Sequence, residues 1–511
     1  MNEMSYKGIY GMHKYWGKKP FNEISKFIDK YSSKGETVLD CFCGSGVTLI
    51  EALRLQRKCI GIDLNPIAVF LSKVSLTKVD EKDIRQEFKK LQDSLKELIM
   101  NMYSVDENGT PSTVTHVIWD NGKPVEVWYS TKESKKTIRD GRQIDIDMAF
   151  SPKTAPKWYP ENVLFENSRI NVVKEEKVSD LFTPRAIVGL SHLLDYICKI
   201  ENKKVRNVFL LTLSGTLSQA SNLVFVIRGR KKNGVVQNKA EVGSWVIGYW
   251  MPDEHFEINV WNCFENRFKR VLKGIDEINT TFASYSEDYY EENVELYNLS
   301  ATEMPLDDNS VDYVFIDPPH ANRILYMEQS LMWNSWLRMG DSIEWDKEIV
   351  VSEAKTRGKT PENYNFLLDQ SFSEIQRVLK PKRSFSMAFN CLDDDIWRDT
   401  LNLFIKHGFV LEDITPLEYS ATSVVQDNRK NALKTDFVLT FNNAECFDQE
   451  KIYYETNEND LNLLIGDLID KNPNIEIYEI MNSLFKKTIR EGYIFKVSHI
   501  VKCAAALLDK R

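Results

Sequence analysis

No run of eighteen apolar residues occurs in this 511-residue chain, which excludes an ordinary membrane-spanning helix. The first twenty residues, MNEMSYKGIYGMHKYWGKKP, hold no apolar core of the kind a secretory signal needs, so a cytoplasmic protein is expected. Positive charge is not in surplus either. Lys and Arg number 66 against 75 Asp and Glu, a formal net charge of −9. That excludes a basic coat for indiscriminate nucleic-acid binding but leaves room for a local basic groove. The eight cysteines include no Cys-x-x-Cys pair, and Cys41 and Cys43 stand too close along the chain to close a disulfide readily. Reduced cysteines and no metal are expected. Internal repeats and low-complexity linkers are lacking as well.

What is present reads as a soluble globular protein, 42% hydrophobic and 28% charged, and long enough for two or three domains. Thr37 to Asp40 is a short buried strand, Cys41 to Gly46 a tight turn, and Val47 to Arg57 has helical spacing of apolar residues. Cys59 to Asp63 is a second strand ending in an acid. Together these form the opening unit of a doubly wound α/β domain. Residues 76 to 102 have helical periodicity, and an Asp-Asn-Gly turn between Trp119 and Val125 marks a hairpin. Thr183 caps a helix that begins at Pro184, and helices are expected over 205–220 and 261–278. The α/β pattern resumes near Val294, with a strong strand from Val311 to Ile316. A helix over Phe372–Leu379, a strand over Ser384–Asn390, a helix over Ile396–His407 and a strand over Thr435–Phe441 follow. The division predicted is 1–75 and 291–445 as two halves of one α/β domain, 76–290 as a mixed α+β insertion, and 446–511 as a small helical region.

Two turns carry the chemistry. In Asp40-Cys41-Phe42-Cys43-Gly44-Ser45-Gly46 the glycines allow close approach of a ligand at a helix N-terminus, and Asp63 can accept from ribose hydroxyls. Leu49 stands where a dinucleotide-binding turn has its third glycine, and Asp40 suits a ligand bearing a positive amino group rather than a pyrophosphate. The second turn is Asp317-Pro318-Pro319-His320, directly after a strand. Two prolines remove two backbone donors and stiffen the turn. A fixed carboxylate beside a free carbonyl suits an amine with two hydrogens to donate.

These residues resemble the amino-methyltransferases of DNA, the adenine-N6 and cytosine-N4 family, whose cofactor motif is typically D-P-F-C-G-S-G-T-T and whose catalytic motif is [D/N/S]-P-P-[Y/F/W]. Asp63-Leu64-Asn65-Pro66 matches the family's acid-x-Asn-Pro. Lys19-Pro20 resembles the segment lining the methionine side, and Asn309 to Asp312 the lead-in to the catalytic strand. Leu181-Phe182-Thr183-Pro184-Arg185 is similar to the larger adenine-specific members with a long insertion. The resemblance covers about residues 12–75 and 295–440. It implies a Rossmann-like fold, S-adenosyl-L-methionine as cofactor, and a DNA base flipped into the pocket. It gives cofactor contacts to Lys19, Pro20, Asp40, Phe42, Cys43, Gly44, Ser45, Gly46, Asp63, Leu64 and Asn65. In the catalytic turn, Asp317 and the Pro318 carbonyl orient the amine, Pro319 stiffens the turn and His320 stacks on the base. The chain departs from the pattern at Cys41, where the family has proline, and at His320, a smaller ring than the usual aromatic. Arg228, Arg230, Lys231 and Lys232, in the insertion, are the candidate nucleic-acid contacts. The expected setting is restriction-modification or host defence, with partner subunits possible. Alternatives at this point are a cytosine-N4 or RNA base methyltransferase, or a non-catalytic nucleic-acid-binding subunit.

Overall fold

In the computed structural model the described residues are 7–417 apart from 230, 233–234, 237–238, 246–247, 287, 341–342, 390–401 and 405, together with 437–443 and most of 454–508. Helix α1 (Phe21–Tyr31) leads to β1 (Thr37–Asp40), α2 (Val47–Arg54), β2 (Lys58–Ile62) and α3 (Pro66–Leu76). β1 reads as an unbroken apolar run because it is buried on both faces. Val38 packs into one core and Leu39 into the other.

Helix α4 (Glu81–Asn101) starts where Asp80 accepts from the Lys82 N–H. An antiparallel sheet follows, with β3 (Ser104–Glu107), β4 (Thr110–Asp120), β5 (Lys123–Ser130) and β6 (Thr137–Asp140). The predicted hairpin turn forms at Asn121-Gly122, both at positive φ (47° and 73°), as the two-residue turn favoured by twisted strands requires. Next come α5 (Gln143–Phe150), α6 (Pro184–Ile197) and α7 (Lys203–Ala220), where Thr183 caps α6 by accepting from the Ala186 N–H. The strands β7 (Val224–Ile227), β8 (Lys231–Lys232), β9 (Val235–Val236), β10 (Glu241–Val242) and β11 (Glu254–Ile258) precede α8 (Val260–Thr281). The sheet of this region has the order β10-β7-β11-β4-β5-β6, with β3 paired to β4.

After α9 (Tyr289–Asn293) the chain returns to the first sheet through β12 (Val294–Tyr297) and β13 (Tyr313–Ile316). Helices α10 (Tyr326–Trp336) and α11 (Pro361–Val378) come before β14 (Ser384–Phe389), β15 (Phe409–Pro416) and β16 (Phe437–Asn443). The order is β12-β2-β1-β13-β14-β16-β15. Only β16 runs antiparallel to its neighbours, so the molecule contains the doubly wound, Rossmann-like sheet that the sequence predicts.

One face of this sheet shares a core with α1 to α3 and with α7 and α8 of the inserted region. The other packs on α11 and on the C-terminal helices Glu458–Lys471 and Val497–Leu508. Two helices differ from expectation. The helix expected at 372–379 begins eleven residues earlier, where Thr360 caps through the Asn363 N–H and Pro361 takes the first helical position. Helix α10 was not foreseen, because Met327 to Trp336 are all buried and so show no polar face to set a period. The expected helix at 396–407 lies mostly outside the described residues. No helix among the described residues is long and apolar enough to cross a membrane.

Candidate active site

β1 and β13 lie side by side, and the chain leaves them toward opposite sides of the sheet. That is the switch point of a doubly wound sheet, where a crevice opens at the carboxyl ends of the strands. Both chemistry-bearing turns emerge there, one after β1 and one after β13. The pocket between them encloses about 900 Å³ including its open mouth, the scale of a small-molecule site. It is walled by Asp40, Phe42, Cys43, Gly44, Ser45, Asp63, Leu64 and Asn65 on one side, by Asp317 and Pro319 on another, and by Lys19 from the N-terminal segment.

The Asp40 turn is held by its own acids. Asp40 accepts from the Phe42 N–H at 3.0 Å. Asp63 accepts from the Gly44 N–H through Oδ2 and from the Asn65 N–H through Oδ1, both at 2.8 Å. Each carboxylate oxygen keeps acceptor capacity for a ligand. Gly44 leaves room that a side chain would fill, since a Cβ would lie 3.1 Å from the Tyr15 ring. Burial pushes Asp40 up to about 7, against hydrogen bonds from Thr48 and Phe42 and with the charges of Asp317 and Asp63 adding to the rise. Burial likewise takes Asp63 up to about 6, opposed by the Asn65 and Gly44 amides and assisted by Glu348. Four carboxyl groups (Asp40, Asp63, Asp317 and Glu348) thus face one pocket, together with Lys18, Lys19 and Lys347. Lys19 engages Asp317 and Arg357 engages Glu348, so Asp40 and Asp63 are the acids placed to favour a cationic ligand.

In the second turn Asp317 takes a hydrogen-bonded ion pair from Lys19, Nζ to Oδ2, at 2.6 Å, with the two side chains 11% and 22% exposed. His320 stands with Nε2 3.7 Å from Asp317 Oδ1 and its ring edge-on to Phe389 at 5.6 Å. Tyr364, from α11, donates to the Pro319 carbonyl at 2.9 Å and so fixes the turn from behind.

Three of the expected cofactor residues also have roles within the protein. Lys19 bonds the Asp317 carboxylate, tying the N-terminal segment to the second turn. Pro20 is not among the pocket-lining residues; its carbonyl accepts from Glu23 and Ile24 to start α1, and Ile24 lines the pocket instead. Gly46, at φ 80°, caps α2, and a Cβ there would lie 2.7 Å from Ser72 Oγ and 3.1 Å from Ser72 Cα. Its bareness serves the packing of α2 on α3 rather than the approach of a ligand.

Other wall residues escaped the sequence reading. Tyr15, Tyr326, Met327, Glu348 and Ile349 also line the pocket. Asn65 lines it too, with its side chain held by hydrogen bonds. Its Nδ2 donates to Ser330 Oγ at 2.9 Å and its Oδ1 accepts from Asn334 at 3.0 Å, joining the β2 turn to α10. Behind Glu348, Arg357 bridges the buried carboxylates of Glu348 and Glu328. Among the described residues no group of three or more His, Cys, Asp or Glu side chains could hold a metal ion.

The basic stretch is not part of this pocket. Arg228 pairs with Glu254, β8 carries Lys231 and Lys232 in a short pairing with β9, and Arg230 and the side chains of Lys231 and Lys232 lie outside what the structure describes. Of the tryptophans in this region, Trp245 and Trp261 are core, whereas Trp250 is exposed.

Residues 2–73 match the family described as DNA methylase. The Type II methyltransferase M.MjaII of Methanocaldococcus jannaschii is 24% identical over 220 residues, 41% of this chain and 39% of that protein. M.EcaI of Enterobacter cloacae is 51% identical over 45 residues, 9% of this chain and 10% of that protein. M1.MboII of Moraxella bovis is 47% identical over 47 residues, 9% and 18% of the two chains. This chain therefore spans about two-fifths or less of the length of these relatives. Among solved structures, a geranyl diphosphate C-methyltransferase of Streptomyces coelicolor overlaps 34% of this chain and 61% of its own, with a TM-score of 0.19 and 10% identity.

Proposed function

We propose that this chain, which resembles the amino-methyltransferases of DNA, moves a methyl group from S-adenosylmethionine to the exocyclic amine of a DNA base, N6 of adenine in the first instance. The observation that carries the reading is geometric. The Asp40–Asp63 turn and the Asp317 turn open onto a single pocket at the switch point of the sheet.

S-adenosylmethionine would supply a methyl group already activated by a positively charged sulfur. The pocket's residues fit it: Asp40 and Asp63 offer acceptors and negative charge, and Gly44 leaves the backbone bare. The protein's task is then to place a nitrogen in line with that methyl group, and positioning of this kind can supply most of the acceleration. Asp317 and the Pro318 carbonyl would accept from the two amine hydrogens, and His320 would stack on the ring. Tyr364 would hold the turn rigid through the Pro319 carbonyl. Lys19 neutralises Asp317 until the amine donates to it, and keeps the carboxylate from rotating out of line. A base paired in a duplex cannot present its amine to such a turn, so it must leave the stack. The inserted region, entered after α3 and left before β12, is the proposed target-reading part, in a restriction-modification setting.

Incubation with labelled S-adenosylmethionine and either DNA or RNA, followed by nucleoside analysis, tests the whole reading. N6-methyladenine in DNA is the expected product. N4-methylcytosine would move the target base, a label in RNA alone would move the substrate class, and no transfer to any nucleic acid would overturn the reading.

A further inference from the structure

Large apolar side chains are seldom left in water without a use, and among the described residues two tryptophans stand about half exposed. Trp158 is covered by the Arg338 guanidinium, 4.0 Å from its ring. Trp250 is 51% exposed, and Met251 beside it is 38% exposed. The residue before them is anything but loose. Tyr249 is buried, its hydroxyl donates to the Gln329 carbonyl of α10 at 2.7 Å, and its backbone N–H reaches the Ile170 carbonyl at 2.7 Å. Its ring stacks on Trp245 at 6.3 Å between centroids, Trp245 meets Trp16 edge-on at 5.7 Å, and Trp16 is a wall of the pocket. The exposed pair therefore rides one residue from an anchor on α10, the helix whose first residues, Tyr326 and Met327, also line the pocket.

Topology places positive charge at the same end of the inserted sheet. β11 begins at Glu254 and pairs antiparallel with β7, which ends at Ile227, so the Trp250–Met251 turn and the start of the basic stretch are neighbours. The ion pair between Arg228 and Glu254 records that proximity. Lys231 and Lys232 follow in β8, and Arg169 and Lys239 are exposed nearby in the chain path. Asp253, Asp120 and Glu126 are opposing acidic charges at this end, and Glu254 is engaged by Arg228. An exposed indole on a fixed mount, close to a basic stretch of the chain and tied to the wall of a pocket, has the chemistry of a stacking wedge for nucleic acid.

We infer that Trp250, with Met251, is inserted into the duplex beside the target base and fills the space that base vacates when it enters the pocket. The inference rests on the nucleic-acid reading above. A wedge of this kind repays part of the unstacking cost, so it matters for paired targets and much less for unpaired ones.

The test begins with DNA methylated by the wild type, sequenced to find the target position. Trp250→Ala and Trp250→Phe are then compared with wild type on a duplex carrying that target and on the single strand alone. Trp250→Ala is expected to lower kcat/KM on the duplex by ten- to a hundredfold. The single-strand value should fall far less, and Trp250→Phe should recover most of the loss. Binding of the duplex should quench the wild type's tryptophan fluorescence, and Trp250→Phe should lose that quenching. An unchanged ratio of duplex to single-strand activity, together with unchanged quenching, overturns the wedge while leaving methyl transfer standing. A wild type inactive on every nucleic acid overturns the parent reading and this one with it. An equal thermal shift with S-adenosylhomocysteine shows that the variants are folded.

Discussion

Asp40 is held in a conflict between folding and binding. Burial at the end of β1 pushes its carboxyl up to about 7, against an unfolded value near 3.9. The folded chain thus holds that proton more tightly than the unfolded chain. The stability contributed by this group is present in full below about pH 4 and is lost as pH rises through about 7. A cationic ligand reverses the preference, because it pairs with the carboxylate and releases the proton. Cofactor affinity should fall about tenfold between pH 8 and pH 6, and more steeply below 6 as Asp63, raised to about 6, also takes a proton. Calorimetric titration across that range checks the slope. Asp40→Asn should raise the thermal midpoint of the ligand-free protein at pH 8, flatten the pH slope and shrink the shift that S-adenosylmethionine produces. A higher ligand shift in Asp40→Asn would contradict the assignment. At the second turn the expectation splits differently. Asp317→Ala should keep cofactor binding and lose nearly all methyl transfer. Tyr364→Phe, which deletes one hydrogen bond to the Pro319 carbonyl, should reduce kcat by roughly tenfold with KM for cofactor unchanged, as the loss of about one ordinary hydrogen bond in the transition state would.

At the scale of elements, the Leu181-Phe182-Thr183-Pro184-Arg185 run finds a structural explanation. Thr183 caps α6 and also donates to Glu257 at 2.8 Å, and Arg185, two residues on, grips both oxygens of Glu257. Trp119 of β4 donates to the same carboxylate at 3.1 Å. Arg185 and Glu257 are each about 1% exposed, so removing one partner strands a buried charge. Arg185→Met should cost roughly 3–5 kcal/mol, and Arg185→Met combined with Glu257→Gln should recover much of it. The denaturant midpoint of the folding transition reads both. Equal loss in the single and double variants would mean that packing, not charge, is what the pair supplies. This cluster also shows why some of the molecule was legible in sequence and some was not. A cap or a ligand turn needs particular residue types in consecutive positions, so Thr183-Pro184, Asn121-Gly122 and the two pocket turns could be read directly. Lys19 and Asp317 are 298 positions apart, Tyr364 is 45 from Pro319, and nothing local announces either pairing. Helix α10, which is tied to the β2 turn through Asn65, hid because burial on all sides erased its period.

For the whole molecule, a chain of net charge −9 must bind a polyanion through a restricted patch. The basic stretch from Arg228 to Lys232 is the candidate, and its electrostatic worth follows from which charges are already engaged. Arg228 forms an ion pair with Glu254 in the protein, so a phosphate must compete with that carboxylate for it. Arg230, Lys231 and Lys232 are the other three cations of the stretch. Each phosphate neutralised contributes about 0.9 to the slope of log affinity against log salt on duplex DNA. Replacing Arg228, Arg230, Lys231 and Lys232 by Ala should therefore reduce that slope by roughly 2–3 rather than by nearly 4. Cofactor binding should be untouched, because the site sits at the switch point of the other sheet. Fluorescence anisotropy of a labelled duplex between 50 and 300 mM salt measures the slope. Trp250→Ala belongs in the same series, since stacking carries no counterions and should weaken binding at every salt concentration without changing the slope. A basic-stretch variant with the wild-type slope would place phosphate binding on another surface, with Arg377, Lys380, Lys382 and Arg383 the next stretch to replace. Within that stretch Arg377 pairs with Asp308 and Glu374, and Lys380 and Arg383 with Asp312. Their replacement should therefore cost stability before it costs affinity, which is why the Arg228–Lys232 stretch is the first to test.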